Sequence, residues 1–395
     1  MDLEENQRRN ERGFVMNFDI PEEMKILTKE IRRFVEKEIE PISEEIERNG
    51  KIPDGLIRKM KELGFFGFAI PQEYGGGGLS ILEQCMVYEV LGRTNSCIRT
   101  YIGSNSGPGV ECIIADGTEE QKKKYLPPLA KGDKIASFAV SEANTGSDIS
   151  EIQTIAEIKN GYFSLNGTKF YITMGDVAGI YIVLAYTDRK AGVKEGMTLF
   201  IVEKGFSGFS IGVIDEKMGL RGSNTCEIIF DNCIVPEGNL IGRIGNGFKI
   251  ALKGINAGRL AITAVAVGAA AKLLDLAIEY SKKRKAFGKP VSDFQAIKFK
   301  LADMATDIYA AKMMMYNAAW MADQGKPAIK EISMAKVFST EMANRVAYEA
   351  LQIHGGMGYM KDLGIERMYR DVRVLTIYEG TSEIQRLTIA QQLLK

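Results

Sequence analysis

The sequence predicts an α+β fold in which two helical regions flank a central β region. Three observations lead there. Apolar residues recur at helical spacing from Pro21 to about Leu129, and again after Gly247. Between them, from about Ile135 to Pro236, short strand-like runs alternate with Asn-Gly, Thr-Gly and Lys-Gly turns. No internal repeat or low-complexity stretch disturbs this order. A chain of 395 residues with 45% hydrophobic and 26% charged residues can bury cores of ordinary size in two or three domains.

Taken in order, residues 1–16 read as a polar leader, with Met16 as an alternative start. This segment lacks the apolar stretch of a signal peptide. Residues 22–39 carry helical spacing that Pro41 breaks, and residues 53–63 form a second helix ended by Gly64. Four consecutive glycines after Tyr74 demand a loop. Residues 119–126 form a charged amphipathic helix, which Pro127-Pro128 is expected to stop. The β region reads as antiparallel. Asn166-Gly167 is its best hairpin signal, joining residues 162–165 to residues 168–173. Long helices then cover about 249–285, 292–324 and 329–354, and a last one runs to Lys395.

Composition excludes several functions. Lys+Arg and Asp+Glu both number 51, so no global field draws in nucleic acid. A single histidine, His354, argues against a His-rich metal site or a His-activated nucleophile, and it reads as a structural hydrogen-bonding residue. Five cysteines without a CxxC pair suggest free thiols in a reducing compartment and no zinc frame. The longest apolar run, residues 260–271, is too short to span a bilayer. A cytoplasmic protein without membrane insertion is expected.

The chemistry-bearing segments are few. Tyr378-Glu379-Gly380-Thr381-Ser382 places a carboxylate just ahead of a helix start, and Ser382 with Gln385 has capping-box spacing. A base beside a polarised carbonyl and a solvated glutamate both fit that spacing. Residues 138–148 join an apolar strand to a loop of small hydrogen-bonding residues, suited to a polar heterocycle or to a plain strand exit. Phe170-Tyr171-Ile172-Thr173 offers an aromatic face with a hydroxyl, or simply a strand. Arg284-Lys285-Ala286-Phe287-Gly288 puts a cation and an aromatic at a helix end. His354-Gly355-Gly356-Met357-Gly358 does not fit G-x-G-x-x-G and follows a helix, which rules out a Rossmann site.

In chain order, Tyr74-Gly75-Gly76, residues 141–148, Tyr171-Ile172-Thr173, residues 284–288, residues 295–303, residues 352–356 and residues 378–381 form one series of landmarks. Together they resemble the acyl-CoA dehydrogenase family over roughly residues 17–395. The resemblance implies an N-terminal helical domain (17–133), a central antiparallel β domain (134–238) and a C-terminal four-helix bundle (239–395). It also implies a homotetramer, a dimer of dimers, with FAD at each dimer interface. Phe138, Val140, Ser141, Gly146, Ser147, Tyr171 and Thr173 would line the flavin, Tyr171 standing where many relatives have Trp. Arg284, Phe287 and Gln295, with Gln352 and Gly356, would reach the adenine–pyrophosphate part of a neighbouring subunit's FAD. Thr381 and Glu383 would complete that site. Glu379 matches the family's general base and its backbone N–H the carbonyl-polarising donor. Ser147, Tyr378 and Gly380 would also touch substrate. Asn256 and Arg259 match the pair that meets CoA, although relatives usually carry Asp at the position of Asn256. Gly258 occupies the place where some relatives put the base.

The implied reaction is FAD-dependent α,β-dehydrogenation of a short acyl-CoA, with electrons passed to an electron-transfer flavoprotein. Arg99 matches the arginine that grips the distal carboxylate in the glutaryl-CoA dehydrogenase branch; a salt-bridged surface arginine is the other reading. Gly92 stands where decarboxylating members carry glutamate. Three alternatives stay open: an enoyl-CoA reductase running the reverse direction, a flavin-containing acyl-CoA lyase of desulfinase type, and a non-enzymatic scaffold that keeps only the fold.

Overall fold

A computed structural model describes residues 20–395. The expected polar leader, residues 1–16, lies outside them. The N-terminal part is helical: α1 (Glu22–Phe34), α2 (Ser43–Asn49), α3 (Asp54–Glu62), α4 (Ile81–Leu91), α5 (Ser96–Gly103), α6 (Pro108–Asp116) and α7 (Glu119–Ala130). After α1 the helix widens to a π turn, Val35–Ile39, and Pro41 falls within a 3-10 turn. Two true capping boxes start α4 and α7, with Ser80 facing Glu83 and Thr118 facing Gln121.

Pro127-Pro128 do not stop α7, contrary to expectation; the helix continues to Ala130. The two missing N–H groups would have met the carbonyls of Lys123 and Lys124, which belong to exposed residues open to water. Tyr125, Leu126, Leu129 and Ala130 are meanwhile buried, so packing keeps the last turn in place.

The central sheet has strands β1 (Ala136–Ala139), β2 (Ile155–Ile158), β3 (Tyr162–Thr173), β4 (Ile180–Tyr186), β5 (Met197–Glu203), β6 (Phe209–Ile214), β7 (Thr225–Pro236) and β8 (Leu240–Ile241). Their order is β6-β7-β3-β2-β4-β5-β8, with β1 added on β4. The sheet is mixed, where antiparallel pairing was expected: β1 runs parallel to β4, and β2 meets β4 in parallel. β1 and β4 are separated in sequence by the β2–β3 excursion, a long crossover that permits parallel pairing.

The Asn166-Gly167 hairpin does not form. Both residues lie inside the single strand β3, at a register shift against β7. Gly167 has φ +146, and a Cβ there would come 2.6 Å from Thr154 Oγ1. The dipeptide therefore serves a bulge and a close approach. Successive β4 residues feed two cores. Ile182 and Leu184 pack with α6, α7 and the start of the next helix, while Tyr181 and Val183 pack with β3, β5 and β7.

The C-terminal part comprises α8 (Gly247–Lys283), the hairpin β9 (Lys285–Ala286) and β10 (Lys289–Pro290), α9 (Gln295–Asp323), α10 (Ile329–His354), α11 (Ile365–Val372) and α12 (Ser382–Leu393). By length and composition α8 could cross a membrane, but most of its apolar stretch is buried within the fold. It packs on α4, α6, α9 and α10 and so forms the spine of the largest core. His354 is buried, its Nδ1 2.7 Å from the Ala350 carbonyl and its ring 4.4 Å from that of Tyr280.

Candidate active site

A cavity of about 420 Å³ opens where α4, α5, the start of α6, the ends of β1 and β3, and α8 meet the turn at Glu379. That turn lies between α11 and α12 and is strained. Glu379 has φ +55 and Gly380 φ +88, and the left-handed region is uncommon for a side chain as large as glutamate. Three helices hold it. From α8, Arg259 Nε donates to the Glu379 carbonyl at 3.1 Å, while its Nη1 donates to Asn256 Oδ1 at 2.9 Å. From α12, Gln385 Nε2 donates to the carbonyls of Glu379 and Gly380 at 3.2 and 3.1 Å. From α10, Lys336 Nζ donates to the Gly380 carbonyl at 2.7 Å.

The Ser382–Gln385 capping box is therefore not formed. Thr381 is the N-cap of α12, its hydroxyl accepting from the Ile384 N–H at 3.3 Å, and Ser382 is the first helical residue. Gln385 is drawn away because the two carbonyls of the strained turn need donors in a buried place.

Glu379 is half-buried, and burial raises its carboxyl above the ordinary range against the opposing pull of Arg259, Arg99 and Lys336. The carboxylate rests over α8, where a Cβ on Gly258 would meet Glu379 Oε2 at 3.0 Å and Pro108 Cγ at 2.8 Å. Among the described residues, the N–H of Glu379 donates to no other atom of the chain. A proton acceptor and a free N–H donor thus belong to one residue at the cavity wall.

Opposite this turn, Phe138, Val140, Ser141, Gly146, Ser147, Tyr171 and Thr173 line the same cavity. Tyr171 has φ +60 and is 62% exposed, so its ring stands free at the end of β3. Phe170 N donates to the Ser141 carbonyl at 2.9 Å, and Ser137 Oγ donates to the Thr173 carbonyl at 2.8 Å. A buried ion pair, Lys169 Nζ to Glu142 Oε1 at 2.8 Å, fastens this loop from behind; Lys169 also donates to the Val140 carbonyl at 3.0 Å. Aromatic surface beside free hydroxyls fits a flat heterocycle with polar edges.

Arg99 is 8% exposed and makes no ion pair among the described residues, which removes the surface reading. Its guanidinium lies 5.7 Å from the centre of the Tyr88 ring, within the cavity wall. Tyr88 Oη and Ser106 Oγ are 2.7 Å apart beside it. Gly92 packs on α8, where a Cβ would come 2.6 Å from the Val265 carbonyl, leaving no room for a side chain.

Arg284, Phe287, Gln295, Gln352 and Gly356 are exposed and lie outside this cavity. Phe287 sits at the tip of the β9–β10 hairpin with φ +50 and 95% exposure. Thr381, Glu383 and Asn256 do not line the cavity either, Asn256 reaching it through Arg259. Sequence reasoning missed Lys336, Lys169 and Tyr88, and gave Gln385 a capping partner in place of the Glu379 and Gly380 carbonyls. For Lys336 a signal existed: it shares the helical stripe of Ile332, Ser339 and Ala343, all buried.

Residues 21–133 match the acyl-CoA dehydrogenase N-terminal domain, 137–233 its middle domain and 245–394 its C-terminal domain. The chain belongs to the acyl-CoA dehydrogenase family. As a member of it, the protein is an FAD-dependent oxidoreductase. It is 44% identical to an acyl-CoA dehydrogenase of Bacillus subtilis, over 95% of this chain and 99% of the relative. To the caffeyl-CoA reductase-Etf complex subunit CarC of Acetobacterium woodii it is 42% identical, over 95% and 99%. The structure of butyryl-CoA dehydrogenase from Megasphaera elsdenii superposes with a TM-score of 0.93 at 38% identity, covering 96% of this chain and 100% of that one.

Proposed function

We propose that the protein removes hydrogen across the α,β bond of a short acyl-CoA whose far end carries a carboxylate or a similarly polar group. One observation carries the reading: the Glu379 carboxylate and its unpartnered N–H share a cavity with an aromatic, hydroxyl-lined wall and a buried, unpaired Arg99.

The α-proton of a thioester is weakly acidic, so the carbonyl must be polarised while the proton is taken. The N–H of Glu379 is the donor to that oxygen, and the Glu379 carboxylate receives the proton. Its carboxyl, already raised by burial, is a better match for that proton than a solvated glutamate. Gly258 leaves the carboxylate its place and Arg259 fixes the turn. Arg259 and Asn256 also face the CoA portion. FAD, when bound, supplies the two-electron acceptor for the hydride leaving the β-carbon. Phe138, Val140, Ser141, Gly146, Ser147, Tyr171 and Thr173 would hold its flavin. Arg284, Phe287, Gln295, Gln352 and Gly356, with Thr381 and Glu383, would serve the FAD of a second copy in a tetrameric, cytoplasmic enzyme.

Arg99 is the distal anchor, since an unpaired buried guanidinium is costly unless a ligand anion meets it. The crowding of Gly92 against Val265 argues for oxidation without loss of CO2. The electron partner is an electron-transfer flavoprotein, supported by the Etf complex to which the A. woodii relative belongs. That relative is a reductase, which favours a second reading in which the same residues run enoyl-CoA reduction.

Anaerobic titration of the purified protein with butyryl-CoA and glutaryl-CoA, followed by flavin absorbance, tests the substrate. Bleaching at lower glutaryl-CoA concentration is expected. Arg99→Met should weaken that substrate by about 2–4 kcal/mol. A preference for glutaryl-CoA that survives the substitution would overturn the anchor.

A further inference from the structure

Lys336 has no exposed surface, yet it stands on a helix face built from Ile332, Ala335, Ser339 and Thr340, all buried. An apolar side chain would fill that slot without the cost of enclosing an ammonium. Its one hydrogen bond within the described chain goes to the Gly380 carbonyl at 2.7 Å. That carbonyl follows Glu379 directly, in a turn with two successive left-handed residues, φ +55 and +88. Arg259 and Gln385 already satisfy the Glu379 carbonyl, and Gln385 reaches Gly380 as well. Lys336 therefore adds more than a missing donor.

We propose that Lys336 is a positioning residue for the base: its ammonium clamps the Gly380 carbonyl and supplies a fixed positive charge close to the Glu379 carboxylate. The inference rests on the reading of Glu379 as the base. The charged groups facing Lys336 are Glu379 in the turn, Arg259 on α8, Glu383 on α12 and Glu341 on its own helix. Those facing Glu379 are Arg259, Arg99 on α5 and Lys336. Burial pushes the Lys336 ammonium down to about 8, so it is largely charged at neutral pH. Its charge opposes the desolvation that drives Glu379 toward the neutral, inactive form.

Two variants test this in the FAD-loaded enzyme. Lys336→Gln keeps an N–H donor on this helix face without the charge; Lys336→Met removes both. Two readouts are followed against pH: kcat/KM with the acyl-CoA substrate, and the infrared band of the protonated Glu379 carboxyl, identified by its loss in Glu379→Gln. In both variants the acid-side midpoint should move up by about one pH unit. FAD content should stay unchanged and KM within about threefold. Should Lys336→Met melt early or shed FAD, the amide variant carries the test, because it keeps a polar N–H donor in the slot. An unmoved midpoint in a folded Lys336→Gln protein overturns the proposal. Normal turnover by Glu379→Gln would instead sink the base assignment itself, which keeps the two failures apart.

Discussion

At the scale of single residues, Glu379 combines a backbone that resists its own side chain with a carboxyl that burial keeps from ionising easily. Both features are held by neighbours: three donors on the carbonyls, three cations around the carboxylate. Only the ionised carboxylate accepts a proton. Because burial raises this group, kcat/KM should fall as pH drops through a midpoint above the ordinary glutamate range, and stay level above it. Glu379→Gln should keep FAD and acyl-CoA binding but lose turnover by about three orders of magnitude or more in stopped-flow flavin bleaching. Gly258→Ala is the complementary test. Its methyl would press on Oε2 at 3.0 Å and on Pro108 Cγ at 2.8 Å, displacing the carboxylate. A loss of about tenfold or more in kcat is expected, with the melting temperature lowered by the clash with Pro108 and FAD retained. The place of Glu379 just ahead of a helix start was legible from its setting between Tyr378 and Gly380, whereas its burial and the cations around it were not. Gln385 was legible as a helix-start residue but assigned the wrong partner, since spacing does not reveal which carbonyls lie overhead.

At the scale of elements, the junction of α2, α11 and the loop before β7 shows how charge joins distant parts of the chain. Arg370 on α11 donates to Glu47 on α2 at 2.7 Å and to the Met218 carbonyl at 2.8 Å. Asp371 is buried beside it and accepts from the Leu220 N–H at 2.7 Å. Burial pushes its carboxyl up from 3.8 to about 6, despite that bond and the neighbouring arginines. The folded state thus binds more protons than the unfolded chain between those values. The stability this contributes is present below pH 3.8 and lost as pH rises through about 6. Asp371→Asn keeps an acceptor for Leu220 and removes the titration. Its unfolding free energy should therefore fall less than wild type between pH 4 and 7, by up to about 3 kcal/mol in urea titrations. Elements themselves were well predicted where periodicity ran long, as in α10, whose bounds match the expected 329–354. They failed at α7 and at Asn166-Gly167. There, burial of the last turn of α7 and a neighbouring strand, both non-local, overrode the local meaning of proline and glycine.

For the whole molecule, the residues proposed to hold the flavin and those proposed for the other end of FAD lie in different places. Phe138, Ser147 and Tyr171 surround the cavity, whereas Arg284, Phe287 and Gln352 are exposed elsewhere. A second copy would bring the two sets together. Phe287→Ala should then lower FAD occupancy, and the mass by light scattering should fall or stay according to how much of the interface depends on the hairpin. Unchanged flavin content in that variant would refute the second-copy reading.

Local sequence pattern was enough for the order of helical and β regions, the long C-terminal helices, the family and the acidic residue at the turn. These rest on periodicity and on the order of short motifs, which are properties of neighbouring residues. The parallel pairing of β1 with β4, the bulge at Gly167, the burial of Arg99 and the placement of Lys336 under Gly380 emerged from packing in three dimensions. Each depends on segments far apart in sequence meeting in space. Burial then gives a charged side chain an environment that its own neighbours along the chain do not specify.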